Sequence, residues 1–343
     1  MNGANVTEAV LKPVLIIGSG FHRHVFASGG ASPSPKRSSL YHWEDLIDAV
    51  ADNMQVARPD RSLKPVLRWE ALLDIGAKDG YATSGGLWRS PGSLATYRME
   101  IDARRHVASV LSKAAEDYPG SRRASIPAQS KWASVISLNF DAAWYPRKPE
   151  LEPVENVGER RDILSPEMPR LFRSIAPVDG VPRVWFPNGS IMECRTIRMG
   201  LRDYGTASAG ILMAFRQLKK WERRRFSGVD LRSREGFEEL ARVMVQAEAQ
   251  DAIGEGPPKS WVTDFMYRPL VFAGVGLSAQ EAGLWWLLRQ KARNVARVSG
   301  GTAAQVRVLT NESRPEFSEA GPFGITPVRC SNWDEGWERI IGE

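Results

Sequence analysis

Cysteine is almost missing from this sequence. Cys194 and Cys330 are the only two, they stand far apart, and neither has metal-ligand spacing, which excludes a disulfide framework and a cysteine-based zinc module. Long apolar runs are missing too: none approaches the roughly eighteen residues that a membrane-spanning helix needs, so no membrane partner is expected. The opening MNGANVTEAVLKPVLIIGSG has no basic start followed by an apolar stretch and a small-residue cleavage site, and the expected location is the cytoplasm. There is no internal repeat and no linker long enough to demand independent domains, so residues 1–343 are read as one domain.

What is present can fold. With 343 residues, 43% of them hydrophobic, the chain can bury a large core and lies outside the disordered class. The net charge of +6 suits an anionic partner such as a dinucleotide, a nucleic acid or an acidic subunit. The clearest basic run, LKKWERRRF with Lys219, Lys220 and Arg223 to Arg225, reads as a solvated helix face. No aromatic-interleaved basic module or zinc-finger spacing accompanies it, so nucleic acid is not the expected partner.

Six apolar segments read as strands: 14–17, 133–138, 183–186, 269–273, 305–309 and 325–328. The first four stop at small polar clusters, namely Gly18-Ser19-Gly20, Asn139-Phe140-Asp141, Asn188-Gly189-Ser190 and Gly274-Val275-Gly276-Leu277-Ser278. Helical spacing fills 41–50, most of 69–118, 207–252 and 279–298, while the Pro-rich 147–182 reads as an irregular connection with a short helix. Strands alternating with helices, with polar clusters at strand C-termini, predict an α/β fold: a Rossmann-like parallel sheet whose ligand lies outside those termini. Helical insertions at about 50–130 and 207–260 are expected to form a cap over it.

Each cluster has a plain structural reading beside a chemical one. The glycines of Gly18-Ser19-Gly20 would let backbone amides approach a pyrophosphate at a helix start, although a G-x-G also serves as an ordinary strand-to-helix turn, and no third glycine follows at fingerprint spacing. Asn139 and Asp141, two apart on an extended end, point to the same side and suit ribose hydroxyls and a water, or else cap a turn. Gly274 to Ser278 would cradle the adenosine side of a dinucleotide, with Ser278 as a helix cap. His22 and His24, just after the first turn, are candidates for proton transfer or for plain packing.

In order, IIGSGFHR, YHWEDLI, VISLNFD, RVWFPNGSI with TIRMGLRDYG behind it, LVFAGVGLS and GITPVRCSNWDEGWERI resemble the successive landmarks of the SIR2-like, sirtuin-related family over nearly the whole chain. The resemblance implies NAD as substrate or ligand. Gly18, Ser19, Gly20 and Phe21 match the family's glycine-rich NAD loop, with His22 where serine is usual. Asn139 and Asp141 match its T-x-N-x-D, and Gly274, Val275, Gly276, Leu277 and Ser278 match its late nucleotide turn. Asn188 and Gly189 stand where the family has His-Gly, and an amide cannot accept a proton at neutral pH as that histidine does.

The lack of a four-cysteine zinc module speaks against protein deacetylation. What the resemblance leaves is cleavage of the nicotinamide glycosidic bond, with Asn139, Asp141 and Asn188 as the expected catalytic residues and no metal. Many bacterial members of the family are NAD-consuming effectors of antiphage defence. That implies an oligomer or a partner defence protein that restrains the activity. The alternative is a nucleotide-binding sensor or scaffold that kept the fold and lost the chemistry.

Overall fold

The computed structural model describes residues 11–28, 39–78, 94–116, 118, 124–145, 174–177, 180–231, 233–250, 256–277, 281–294, 305–310 and 323–341. Its strands are β1 (Val14–Ile17), β2 (Ser134–Ser137), β3 (Ser174–Ile175), β4 (Arg183–Trp185), β5 (Leu270–Ala273), β6 (Val306–Thr310) and β7 (Ile325–Arg329). They form one sheet in the order β3-β4-β2-β1-β5-β6-β7. All pairings are parallel except that of β3 with β4. Leaving β3 aside, this is the strand order of a doubly wound, Rossmann-like sheet, in which the winding reverses between β1 and β5. The α/β class and all six expected strands are present.

Continuous apolar strands such as Val14-Leu15-Ile16-Ile17 need cover on both faces, and they have it. The helices are α1 (Ser19–Ser28), α2 (Trp43–Asn53), α3 (Pro65–Lys78), α4 (Leu94–Glu116), α5 (Leu201–Arg225), α6 (Arg234–Gln250), α7 (Trp261–Tyr267), α8 (Ala282–Asn294) and α9 (Trp333–Ile341). Val14 and Ile16 of β1 and Phe272 of β5 share a core with Leu218 and Trp221 of α5, Leu240 of α6, Phe265 of α7 and Leu287 of α8. Leu15 and Ile17 turn the other way, with Val271 and Ala273 of β5, Phe21 of α1 and Trp337 of α9. The period-two alternation of a strand thus assigns neighbouring residues to opposite layers.

The two helical insertions differ in role. Helices α2, α3 and α4 build a core of their own around Ile47, Trp69, Leu72 and Val107, closed by Phe140, Ile197 and Met199. Phe140 follows β2, and Ile197 and Met199 follow β4, so this layer sits at the C-terminal ends of the strands. The fully buried Arg68 pairs with Asp48 and donates to the carbonyls of Glu44 (3.0 Å) and Pro59 (3.1 Å), tying α3 to α2. By contrast, α5 and α6, expected in the cap, cover one face of the sheet. The chain between β4 and β5 has to supply that face with a layer, because a parallel sheet is buried on both sides.

Helix α5 starts at Leu201, six residues before the expected 207. Its start is fixed by carboxylates on orphan amides: Asp203 accepts from Met199 N (3.0 Å) and Gly200 N (3.2 Å), and Glu70 accepts from Leu201 N (2.7 Å). The guanidinium of Arg104 holds both oxygens of Asp203 at 2.9 Å, joining α4 to this terminus. At the far end, Arg223, Arg224 and Arg225 are exposed in the last turn, where cations complement the negative end of the helix. The basic run is a solvated helix end. Among the described residues, no helix is long and apolar enough to cross a membrane.

Both margins of the sheet are irregular. β3 is only two residues long and antiparallel, and it falls within the stretch read from sequence as irregular. β7 carries Pro327 at its centre, and of its residues only Ile325 is buried.

Candidate functional site

At the reversal between β1 and β5 the two glycine turns meet backbone to backbone. Gly18 N donates to Ala273 O (3.1 Å), and Gly20 N donates to Gly274 O (3.0 Å). A Cβ on Gly18 would lie 2.6 Å from Gly274 O, and one on Gly274, where φ is +64°, would lie 2.0 Å from Phe21 N. These glycines are therefore required by the contact between the turns, and the Gly20 amide, expected to face a pyrophosphate, is engaged by Gly274. Ser19 opens α1 and is half-buried, as is Val275, while Gly276 is exposed. Leu277 is buried with φ +45°, a left-handed conformation uncommon for leucine. Ser278 lies outside the described residues.

Behind the first turn, His22 and Asp141 form a buried pair. Nε2 of His22 is 3.7 Å from Oδ1 of Asp141, with both side chains out of solvent. The imidazole stacks on Tyr41 (centroids 4.5 Å apart, 5° between planes) and meets Tyr118 edge-on at 5.4 Å. Neither ring nitrogen has a hydrogen-bond partner among the described residues. Burial pushes the His22 pKa down, and the Asp141 charge opposes that in part. The phenols of Tyr41 and Tyr118 are pushed well up, first by burial and then by Asp141. Asp141 Oδ1 also accepts from Ala143 N (3.1 Å), so the turn-capping role foreseen for Asp141 is present. His24 packs its ring 5.2 Å from Trp333 on α9.

This pair gives a pH signature. Because burial holds the folded-state pKa of His22 below its ordinary 6.5, the unfolded chain binds a proton there that the folded chain refuses. Stability is expected to be intact above that pH and to fall as pH drops below it. The slope for this one proton approaches about 1.4 kcal/mol per pH unit. Urea unfolding of wild type and His22→Gln between pH 7.5 and about 5 checks this. Equal slopes in the two proteins would assign the dependence to other groups.

Asn139 is half-buried, and its Nδ2 is buried with no partner among the described residues. Asn188 donates from Nδ2 to Leu138 O (2.9 Å), bridging the ends of β4 and β2. Gly189 beside it has φ +91°, and a Cβ there would lie 2.0 Å from Thr196 O, so only glycine fits. Asn188 lines a cavity of about 270 Å³ at the C-terminal edge of the sheet, together with Leu138, Arg198, Tyr204, Trp261 and Glu281. Neither Asn139 nor Asp141 is among its lining residues. The structure thus separates the expected residues: Asn188 lines the crevice, Asp141 is buried with His22, and Asn139 is half-buried beyond β2 outside the crevice lining.

Glu281, Arg198, Tyr204 and Trp261 escaped the sequence reading. Glu281 stands one residue ahead of α8, where its backbone carbonyl accepts from Trp285 N (3.0 Å), and an acidic residue at a helix start was the available signal. Burial pushes its carboxyl up. It also pushes the Tyr204 phenol up, with the Glu281 charge adding to it. Nothing in the spacing of Arg198 or Trp261 marks them.

A larger cavity, about 580 Å³, opens at the opposite, N-terminal ends of the strands, against Lys12, Arg183 and Asp264. Its central carboxylate is already satisfied: Asp264 accepts from Ser134 Oγ (2.7 Å) and Trp185 Nε1 (2.8 Å), and Arg268 lies 3.4 Å away. The crevice at the winding reversal is the better candidate, since open parallel sheets bind ligands outside their strand C-termini. Among the described residues, no group of three or more His, Cys, Asp or Glu could hold a metal ion. Compared with family models, curated proteins and solved structures, the chain matches none.

Proposed function

We propose that this chain is a SIR2-like NAD glycohydrolase that binds NAD across the reversal between β1 and β5 and releases nicotinamide from it. The observation that carries the reading is the meeting of the Gly18–Gly20 and Gly274 turns at that reversal, beside a crevice lined by Asn188. Cleavage of the nicotinamide bond runs through an oxocarbenium-like state with bond breaking ahead of attack, as in other glycoside hydrolyses. In this reading Asn188 hydrogen-bonds the substrate from the crevice wall and Asn139 orients water and ribose. Asp141 contributes negative charge from behind, through a site of low dielectric. Its burial makes it a stabiliser of positive charge rather than a contact to sugar. Assembly with further copies, or with a partner protein of phage defence, would restrain the activity.

A second reading has its own support. The Asn188 amide is committed to Leu138, and Asp141 is sealed beneath His22 and Tyr41, which suits a nucleotide-binding subunit without chemistry. Chromatography of NAD incubated with the protein separates the two. The glycohydrolase releases nicotinamide, and Asn139→Ala is expected to lower the rate at least 10²-fold, the scale of losing one preorganised polar contact to the reacting centre. Unchanged NAD loss in Asn139→Ala would remove that role. Intact NAD that nevertheless binds in calorimetry would favour the subunit.

A further inference from the structure

We propose that Glu281 is the proton acceptor of the crevice, receiving the proton of the attacking water in a site that carries Asn188 where a histidine is expected. This inference rests on the glycohydrolase reading and adds to it a residue and a role. Glu281 and Asn188 line the same cavity from the two arms of the sheet: Asn188 follows β4, and Glu281 precedes α8 behind β5. A reacting group held between them lies at the winding reversal.

Two further features mark the cavity as built for a polar ligand. Burial pushes the Glu281 carboxyl up, and its charge reaches the Tyr204 phenol on the same cavity. On the same cavity, Trp261 is almost fully buried and its indole N–H has no acceptor among the described residues. A buried donor left open on a cavity wall is completed by whatever fills the space. The volume of about 270 Å³ falls just under the roughly 300–1,000 Å³ of whole small-molecule sites, so it suits the reacting end of a dinucleotide.

The chemistry fits a carboxyl raised by burial. Such a group is a stronger base than an exposed carboxylate. The other ionisable groups facing the cavity are Arg198, a fixed cation, and Tyr204, whose raised phenol stays protonated and so remains a donor. In the step proposed, the C1′–N bond of NAD breaks and its electron pair stays on the nicotinamide nitrogen, which thereby loses its positive charge. The oxygen of water bonds to C1′, and the proton that water sheds passes to Glu281 and then to solvent. One NAD and one water give nicotinamide, ADP-ribose and one proton.

Glu281→Gln keeps the shape of the side chain and removes the base. The expected result is unchanged affinity for NAD and ADP-ribose in calorimetry, cleavage slower by about 10²–10⁴-fold, and loss of the acidic limb of the kcat/KM profile against pH. Glu281→Asp should restore part of the rate with a displaced acidic limb, and it decides the matter if the glutamine variant does not fold. Cleavage by Glu281→Gln at the wild-type rate with the same limb would overturn this role and leave the glycohydrolase intact. A wild type that binds NAD but never cleaves it would overturn both.

Discussion

Alanine at position 274 is expected to destabilise the fold by about 4 kcal/mol or more, in the range reserved for a few mechanisms of gross misfit. The added Cβ would sit 2.0 Å from Phe21 N and 2.5 Å from Gly20 C, both backbone atoms at the root of α1, so no side chain can swing aside. The left-handed φ of +64° adds about 1–2 kcal/mol for any L side chain. Relief would require pulling β1 from β5 at the centre of the sheet. Gly205 is the matched control: it lies inside α5 with no atom within 4 Å of the added Cβ. There alanine should stabilise by roughly 0.5–1 kcal/mol through helix propensity alone. Urea unfolding of the two variants beside wild type checks both signs. A loss under about 1 kcal/mol at position 274 would mean that the turns are not in contact.

Lys291→Met should cost about 3 kcal/mol, an effect of the size seen when a buried charge network loses one partner. The ammonium of Lys291 is fully buried on α8 and donates to the carbonyls of Phe265 (3.1 Å), Met266 (3.0 Å) and Arg268 (2.7 Å). These carbonyls end the seven-residue α7, where a helix leaves its acceptors without amides and carries partial negative charge. Burial pushes the Lys291 pKa well down, while three acceptors at the negative end of a helix favour the charged form. Methionine fills the volume but abandons all three carbonyls in a dry interior. Because β5 begins at Leu270, two residues beyond Arg268, the same change should loosen the strand that carries Gly274. A denaturation midpoint equal to that of wild type would show that water replaces the lysine.

The strands were legible because each parallel strand, covered on both faces, has to be a short apolar run, and the turn after it has to be small and polar. β3 was not, since Ser174–Ile175 owes its strand conformation to pairing with β4 and has no pattern of its own. The start of α5 was misplaced for a related reason. Locally it is marked only by Asp203, and the groups that hold it in place, Arg104 on Asp203 and Glu70 on Leu201 N, lie far away in the chain. In the site, Asn188 and Gly189 stood out because the left-handed φ at position 189 restricts the sequence directly. Trp261 opens α7 and Glu281 precedes α8, and only packing makes them neighbours of Asn188. His22 was read as a proton-transfer candidate or a packing residue, and the partners it packs against, Tyr41 and Tyr118, are ones that no spacing connects to it.

The margins of the sheet limit how copies of this chain can associate. Pro327 has no N–H to offer a strand arriving beside β7, and β3 presents only two residues of backbone on the opposite side. Among the described residues, both edges of the sheet therefore disfavour a ribbon of sheets continuing from molecule to molecule. The same stunted borders protect an otherwise apolar set of strands from templating fibrils while the chain is still folding.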